Sequence, residues 1–126
     1  MMAGGGGISP NMALKRSAQS GTKVLTNVWQ VVFTDSDNQS YLFGGASVDL
    51  STMALADSID IRISKKLSAT GSWVVHDMIT YSDVQPTNHM NVKTGTIPDT
   101  YGIKMEMRQT AGVLRTIPCE FFVAKF

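Results

Sequence analysis

Residues 58–67 read SIDIRISKKL, and this stretch decides the fold class. Ile59, Ile61 and Ile63 fall on one side of an extended chain, and Asp60, Arg62 and Ser64 fall on the other, because successive side chains of a strand alternate. The stretch is a half-buried strand. SATGS, residues 68–72, is a tight hairpin turn. SWVVHDMITYS, residues 72–82, returns as a second strand with Trp73, Val75, Ile79 and Tyr81 on one face. Asp77 interrupts that face, which marks a bulge or a solvent-facing strand end.

The same period runs outward in both directions. YGIKMEMRQ, residues 101–109, sets Ile103, Met105 and Met107 against Lys104, Glu106 and Arg108. TAG turns the chain, and VLRTIPCEFFVAKF, residues 113–126, closes it as a further strand; Pro118 suits an edge strand or a strand's start. Upstream, KVLTNVWQVVFTD, residues 23–35, is rich in β-branched and aromatic residues. It reads as one interior strand, with Leu25, Trp29, Val31 and Phe33 on one face and Val24, Val28 and Val32 on the other. DSDNQS is a polar turn, and SYLFGGASVDL is a strand region in which Gly44-Gly45 marks a bulge or bend. STMALADS is helical in character but short, a connection rather than a core helix. Residues 83–100 form a long polar connection with two prolines and a short strand at 89–93.

About seven or eight short strands, with turn signals near every ten residues, predict an all-β protein: an antiparallel β-sandwich or small jelly roll. The length, 126 residues, suits one domain. Residues 23–126 are assigned to the sandwich and residues 1–22 to an extended N-terminal arm. Within the arm, NMALKRSA could form one helical turn, too short to be stable alone.

The chain carries a net charge of only +1, too small a field to drive it onto nucleic acid or an anionic membrane. No apolar run approaches the ~20 residues of a bilayer span, and the first ten residues lack the early positive charge and apolar core of a signal peptide. Synthesis in a cytoplasm is expected. Cys119 is the single cysteine. It cannot form an intrachain disulfide, and within IPCEFF it reads as a small buried hydrophobe.

Chemistry is sparse. His76 and Asp77 are strand neighbours that face opposite ways, so they form no dyad. His89 lies in the long connection. Two histidines and one cysteine without ligand spacing do not make a zinc site. GxSxG is absent, and the four-glycine run lacks the GK[ST] of a phosphate loop. The carboxylate pairs Asp57/Asp60 and Asp35/Asp37 fall at turns or strand starts, where solvated residues belong. No catalytic residue, metal ligand or cofactor is assigned, and no enzyme activity is expected. Trp29, Trp73, Tyr41, Tyr81 and Tyr101 are spread over different segments and read as core or interface residues. Met105 and Met107 read as core filler.

The arm is the unusual feature. Four consecutive glycines lose much entropy on ordering, so an ordered arm needs partner surface. Met1, Met2, Ile8, Met12 and Leu14 are its candidate anchors on a neighbouring subunit. Its charge also differs from the body: residues 1–23 hold Lys15, Arg16 and Lys23 and no acid, giving +3, while the remainder holds eight cations and ten acids, giving −2. Lys15, Arg16 and Lys23 are candidate phosphate contacts; the simpler reading pairs them with acidic groups on another subunit.

DSIDIRISKKLSATGSWVVHDMITYSDVQ, residues 57–85, followed by YGIKMEMRQTAGVLRTIPCEFFVAKF, residues 101–126, resembles the small β-sandwich structural proteins of virions. These are the capsid and head-decoration proteins of phages and other icosahedral viruses. The resemblance implies a capsid, minor capsid or capsid-decoration subunit, self-assembly by symmetry, contacts with other virion proteins, no cofactor, no membrane and a place in the virion. Two other readings stay open: a stand-alone carbohydrate- or protein-binding module using the surface around His89 or Tyr101, and a coat protein whose basic arm contacts nucleic acid weakly.

Overall fold

A computed structural model of the protein describes residues 13–35, 41–87, 90–99 and 101–125. Ten strands make up the described residues: β1 (Ala13–Arg16), β2 (Gly21–Val24), β3 (Gln30–Asp35), β4 (Tyr41–Val48), β5 (Ser58–Lys65), β6 (Val74–Ser82), β7 (Val92–Lys93), β8 (Ile97–Asp99), β9 (Ile103–Ala111) and β10 (Thr116–Lys125). All pairings are antiparallel, and no helix occurs among the described residues. The all-β sandwich expected from the alternating pattern is the observed fold.

One sheet runs β1-β10-β4-β7, with β2 also on β10 and β8 also on β4. Its ten-residue centre, β10, is flanked on one side by β1 and then β2, so residues 13–24 lie along it as one edge strand interrupted at 17–20. On the far side, residues 92–99 lie along β4 in the same way, broken at 94–96. The second sheet runs β3-β9-β5-β6. Two effectively four-stranded layers therefore face each other, which agrees with the strand number expected from turn spacing.

The core lies between them. Phe33 of the second sheet stacks its ring 5.1 Å from Phe43 and 5.2 Å from Phe121, both of the first sheet. Ile59, Ile61 and Ile63 and Met105 and Met107 point into this layer and are buried, as their alternation predicts. Cys119 is buried with them, and burial pushes its thiol up to about 11, so it is an inert hydrophobe as expected.

Several local expectations change. Residues 13–16, read as a helical turn, are strand, because the chain pairs with β10, a partner more than a hundred positions away. Of the arm assigned to 1–22, the part from Ala13 onward therefore contributes to a sheet; Met1, Met2, Ile8 and Met12 lie outside the described residues. Residues 23–35 are not one strand. The chain leaves the first sheet after Val24 and enters the second at Gln30, whose side chain fixes the crossing: Nε2 donates to the Val24 carbonyl (3.0 Å) and Oε1 accepts from the Thr26 N–H (2.9 Å). Val32 is an extra residue in the β3–β9 register, so Val32 and Phe33 are both buried. The bulges expected elsewhere occur: Gly44 is unpaired opposite β10, and His76 is the extra residue beside Asp77. Pro118 falls at the third position of β10, just before pairing with β4 begins at Cys119.

Candidate functional site

Three surfaces carry features that a simple sandwich does not need. The first is the β6 edge. β6 ends the second sheet, pairs only with β5, and is exposed at every position but the half-buried Tyr81. Val74, Val75, Met78 and Ile79 are each about half exposed (46–52%). Beneath the strand, toward the β7–β8 side of the other sheet, lies a groove of about 430 Å³ lined by Ile61, Ile63, Ile79, Tyr81, Val92 and Ile97, among others. An edge strand of nine residues normally carries charge along its length to prevent strand addition. Here the charge is confined to Asp77 at the bulge, with apolar residues on both sides.

The second surface is the outer face of the β9–β5 pair. Asp60 and Glu106 are buried there, contrary to the solvated position expected for Asp60. Asp60 accepts from Thr80 Oγ1 (2.6 Å) and from Arg108 Nε (2.8 Å). Glu106 accepts from Arg62 Nε (2.9 Å) and lies 3.7 Å from Lys104 Nζ. Two tryptophans from connecting segments stack on the cations. The Trp29 ring lies 4.0 Å from the Arg62 guanidinium and 4.4 Å from that of Arg108. The Trp73 ring lies 4.7 Å from Lys104 Nζ and 5.4 Å from Lys66 Nζ. An unbroken chain of contacts thus runs Thr80–Asp60–Arg108–Trp29–Arg62–Glu106–Lys104–Trp73–Lys66. The tryptophans are not core residues; they cover a polar face. The cross-strand pairing 60↔108 and 62↔106 was the signal for the ion pairs, but nothing local announced the tryptophans.

The third surface is the N-terminal strand pair. Lys15 is exposed. Arg16 pairs with Glu120 (2.8 Å) on the adjacent strand, and Lys23 Nζ donates to the Gln19 carbonyl (2.6 Å). Lys15 and Arg16 stand on β1 and Lys23 on β2, successive parts of one edge along β10. Leu14, 56% exposed, occupies the space above Gly44, where an added Cβ would collide with it. His76 is exposed and His89 lies outside the described residues. No group of three or more acidic, histidine or cysteine side chains suited to a metal ion occurs among the described residues.

Asp57 is also buried rather than solvated, at the end of the second sheet. Its Oδ2 accepts from Arg115 Nε (2.7 Å) and from the Ala54 N–H (2.8 Å). The Arg115 hydrogen bond, and then the Ala54 bond, hold its carboxyl below the usual range. At Asp60 burial pushes upward, but the Thr80 hydroxyl and Arg108 outweigh it, so that carboxyl is lowered too. Groups with lowered folded-state pKa values stabilise above their unfolded value, near 4, and lose that contribution as pH falls through the folded value. The thermal midpoint is expected to stay level from pH 7 to 5 and to drop below about pH 4, with the acid limb shallower in Asp60→Asn. A midpoint already falling between pH 7 and 5 would place the sensitive group elsewhere.

No protein-family model matches the sequence, and no curated protein matches it. Solved structures do. The VP2 subviral particle of infectious bursal disease virus matches with a TM-score of 0.50 at 16% identity, over 92% of this chain and 33% of the VP2 chain. T=1 particles derived from the same virus match with a TM-score of 0.34 at 14% identity, over 92% of this chain and 32% of that one. This chain spans about a third of the length of the viral-particle chains it matches, and the likeness is one of fold: a β-sandwich similar to one built into a viral particle.

Proposed function

We propose that this protein is a structural subunit of a virus particle: a capsid, minor capsid or capsid-decoration subunit, acting without catalysis or cofactor. The observation that carries the reading is the β6 edge, a long strand with apolar residues exposed on both sides of a single acidic position, set over an open groove. Such an edge invites strand addition and aggregation unless a defined partner covers it. A second copy of the chain is that partner. The fold likeness to a capsid protein supports the assignment.

In this reading the segment assigned to residues 1–22 has two parts: β1 and the first half of β2 complete the first sheet, and the residues ahead of Ala13 supply Met1, Met2, Ile8 and Met12 as contacts to a neighbour, with Leu14 at the point of departure. The subunit resides in the virion after synthesis in a host cytoplasm, meets other virion proteins there, and has no membrane role.

The test is the solution mass of the full chain by light scattering after size exclusion. A discrete oligomer or particle-sized species is expected. Removing residues 1–12 should leave a folded sandwich that assembles more weakly; removing 1–22 would strip the edge from β10 and unfold or aggregate it. A monomer at every accessible concentration, with the arm intact, would count against self-assembly.

A further inference from the structure

The polar outer face of the β9–β5 pair lies opposite the core and reaches the β6 edge through the Thr80–Asp60 hydrogen bond. Four cations, Arg62, Lys66, Lys104 and Arg108, share it with two carboxylates, Asp60 and Glu106, which leaves the face at +2 against a whole-chain charge of +1. The charges are also layered. The carboxylate side chains are only 7–8% exposed, whereas those of Arg62, Lys104 and Arg108 are 27%, 19% and 33% exposed. Solvent meets the positive layer and not the negative one beneath it. Each guanidinium meets its carboxylate through Nε, and its remaining donors sit on the terminal nitrogens, which suit phosphate oxygens.

A structural role for the ion pairs does not account for the tryptophans. Both tryptophans of the chain come to this face, from separate connecting segments, and each lies on two cations. An exposed sheet face needs no such roof to be soluble. Indole rings alternating with cations along a net-positive sheet face are what a single strand of nucleic acid requires: cations that track the phosphates and rings on which bases stack. An acidic protein surface would satisfy the charge but has no use for two stacking groups placed among the cations.

We propose that this face binds single-stranded nucleic acid without sequence preference, with Lys66, Lys104, Arg62 and Arg108 meeting phosphates and Trp29 and Trp73 stacking with bases. The site differs from the basic segment at Lys15, Arg16 and Lys23 and does not depend on particle assembly.

The tryptophans make the test direct, because a ligand on this face changes the whole of the protein's indole fluorescence. The full chain is titrated with oligo(dT) and with poly(U) at several salt concentrations, and poly-aspartate serves as a polyanion without bases. Quenching by both nucleic acids is expected. The log–log salt slope should lie near −2 to −3, since up to four phosphate contacts contribute roughly −0.7 each for single strands. Lys66→Gln with Lys104→Gln should weaken binding by tenfold or more and reduce the slope by about 1 to 1.5. Lys66→Gln alone, which disturbs only a ring contact, serves if the double variant fails to fold; it should lower the slope by about half as much. Lys15→Gln with Lys23→Gln should leave binding within about twofold. Three outcomes overturn the proposal: no binding at low salt, equal binding and quenching by poly-aspartate, or loss of binding only with the Lys15 and Lys23 substitutions.

Discussion

Gly112→Ala is expected to lower the thermal midpoint by on the order of 10 °C, while Gly95→Ala changes it by about one degree or less. Gly112 sits in the bend between β9 and β10 and Gly95 in the break between β7 and β8, and they meet different surroundings. Gly112 has φ +88°, and a Cβ there would strike the Asp57 carboxylate. A left-handed backbone costs an L-residue roughly 1–2 kcal/mol by itself. The collision adds to that, because Asp57 cannot retreat: its Oδ2 is held by both Arg115 and the Ala54 N–H, and the side chain is buried. Displacing it strands the Arg115 guanidinium. The same turn is tied by Gln109, whose Nε2 donates to the carbonyls of Ala111 (3.0 Å) and Val113 (2.7 Å) and whose Oε1 accepts from the Arg115 N–H (2.8 Å). A shift of Gly112 is thus felt in the whole passage from β9 to β10, where the chain changes sheets. Gly95, by contrast, has no atom within 4 Å of an added Cβ. Thermal unfolding of the two variants side by side checks this, and equal midpoints would show that the Asp57 contact does not constrain the turn.

That turn shows what the sequence discloses and what it withholds. A turn at TAG, residues 110–112, was legible from its glycine, although the strand runs on through Ala111 and the bend begins at Gly112; the strands on either side were legible from period-two alternation. Where alternation was strict, at Ile59, Ile61 and Ile63 or at Met105 and Met107, burial followed. The meaning of Asp57 was not legible, since its partner Arg115 lies 58 positions away. Asp60 and Arg62 were correctly placed on the outer face, but the tryptophans covering that face arrive from segments whose spatial neighbours no local pattern encodes. Residues 13–16 resembled a helical turn because nothing nearby shows that β10 will offer a free edge. The break at 25–29 was hidden for a different reason: apolar and β-branched residues continue into it, and the crossing depends on the Gln30 side chain bonding backbone four and six positions back. Local propensity specified strands; non-local pairing decided where they ended and what covered them.

Val75→Lys combined with Ile79→Lys is expected to raise the concentration needed for assembly at least tenfold and leave the sandwich folded, with a midpoint within a few degrees of the unmodified chain. Val75 and Ile79 are 50% and 48% exposed on a strand that pairs on one side only, so each lysine can extend its charge into water along its apolar stem. The fold therefore loses little. An interface loses more. Covering an Ile or Val side chain contributes about 1.5–3 kcal/mol when fully buried, or half of that for a half-exposed residue, and a lysine at a closed apolar contact adds the cost of desolvating its ammonium group. With 1.4 kcal/mol to a factor of ten, the concentration needed for assembly should rise by at least tenfold per subunit contact. In a symmetric contact both copies carry the change, and the effect enters twice. Light scattering across a concentration series measures that threshold. The two sources of contact separate cleanly: loss of assembly in the β6 variant with the arm intact places the contact at the edge, whereas unchanged assembly there, together with loss on removing residues 1–12, places it in the arm. Lysines spaced along an exposed edge are also how soluble sandwiches keep their edges apart. The double variant supplies by substitution the protection that β6 lacks outside its bulge. If it assembles as well as the original chain, the bare edge is not a subunit contact.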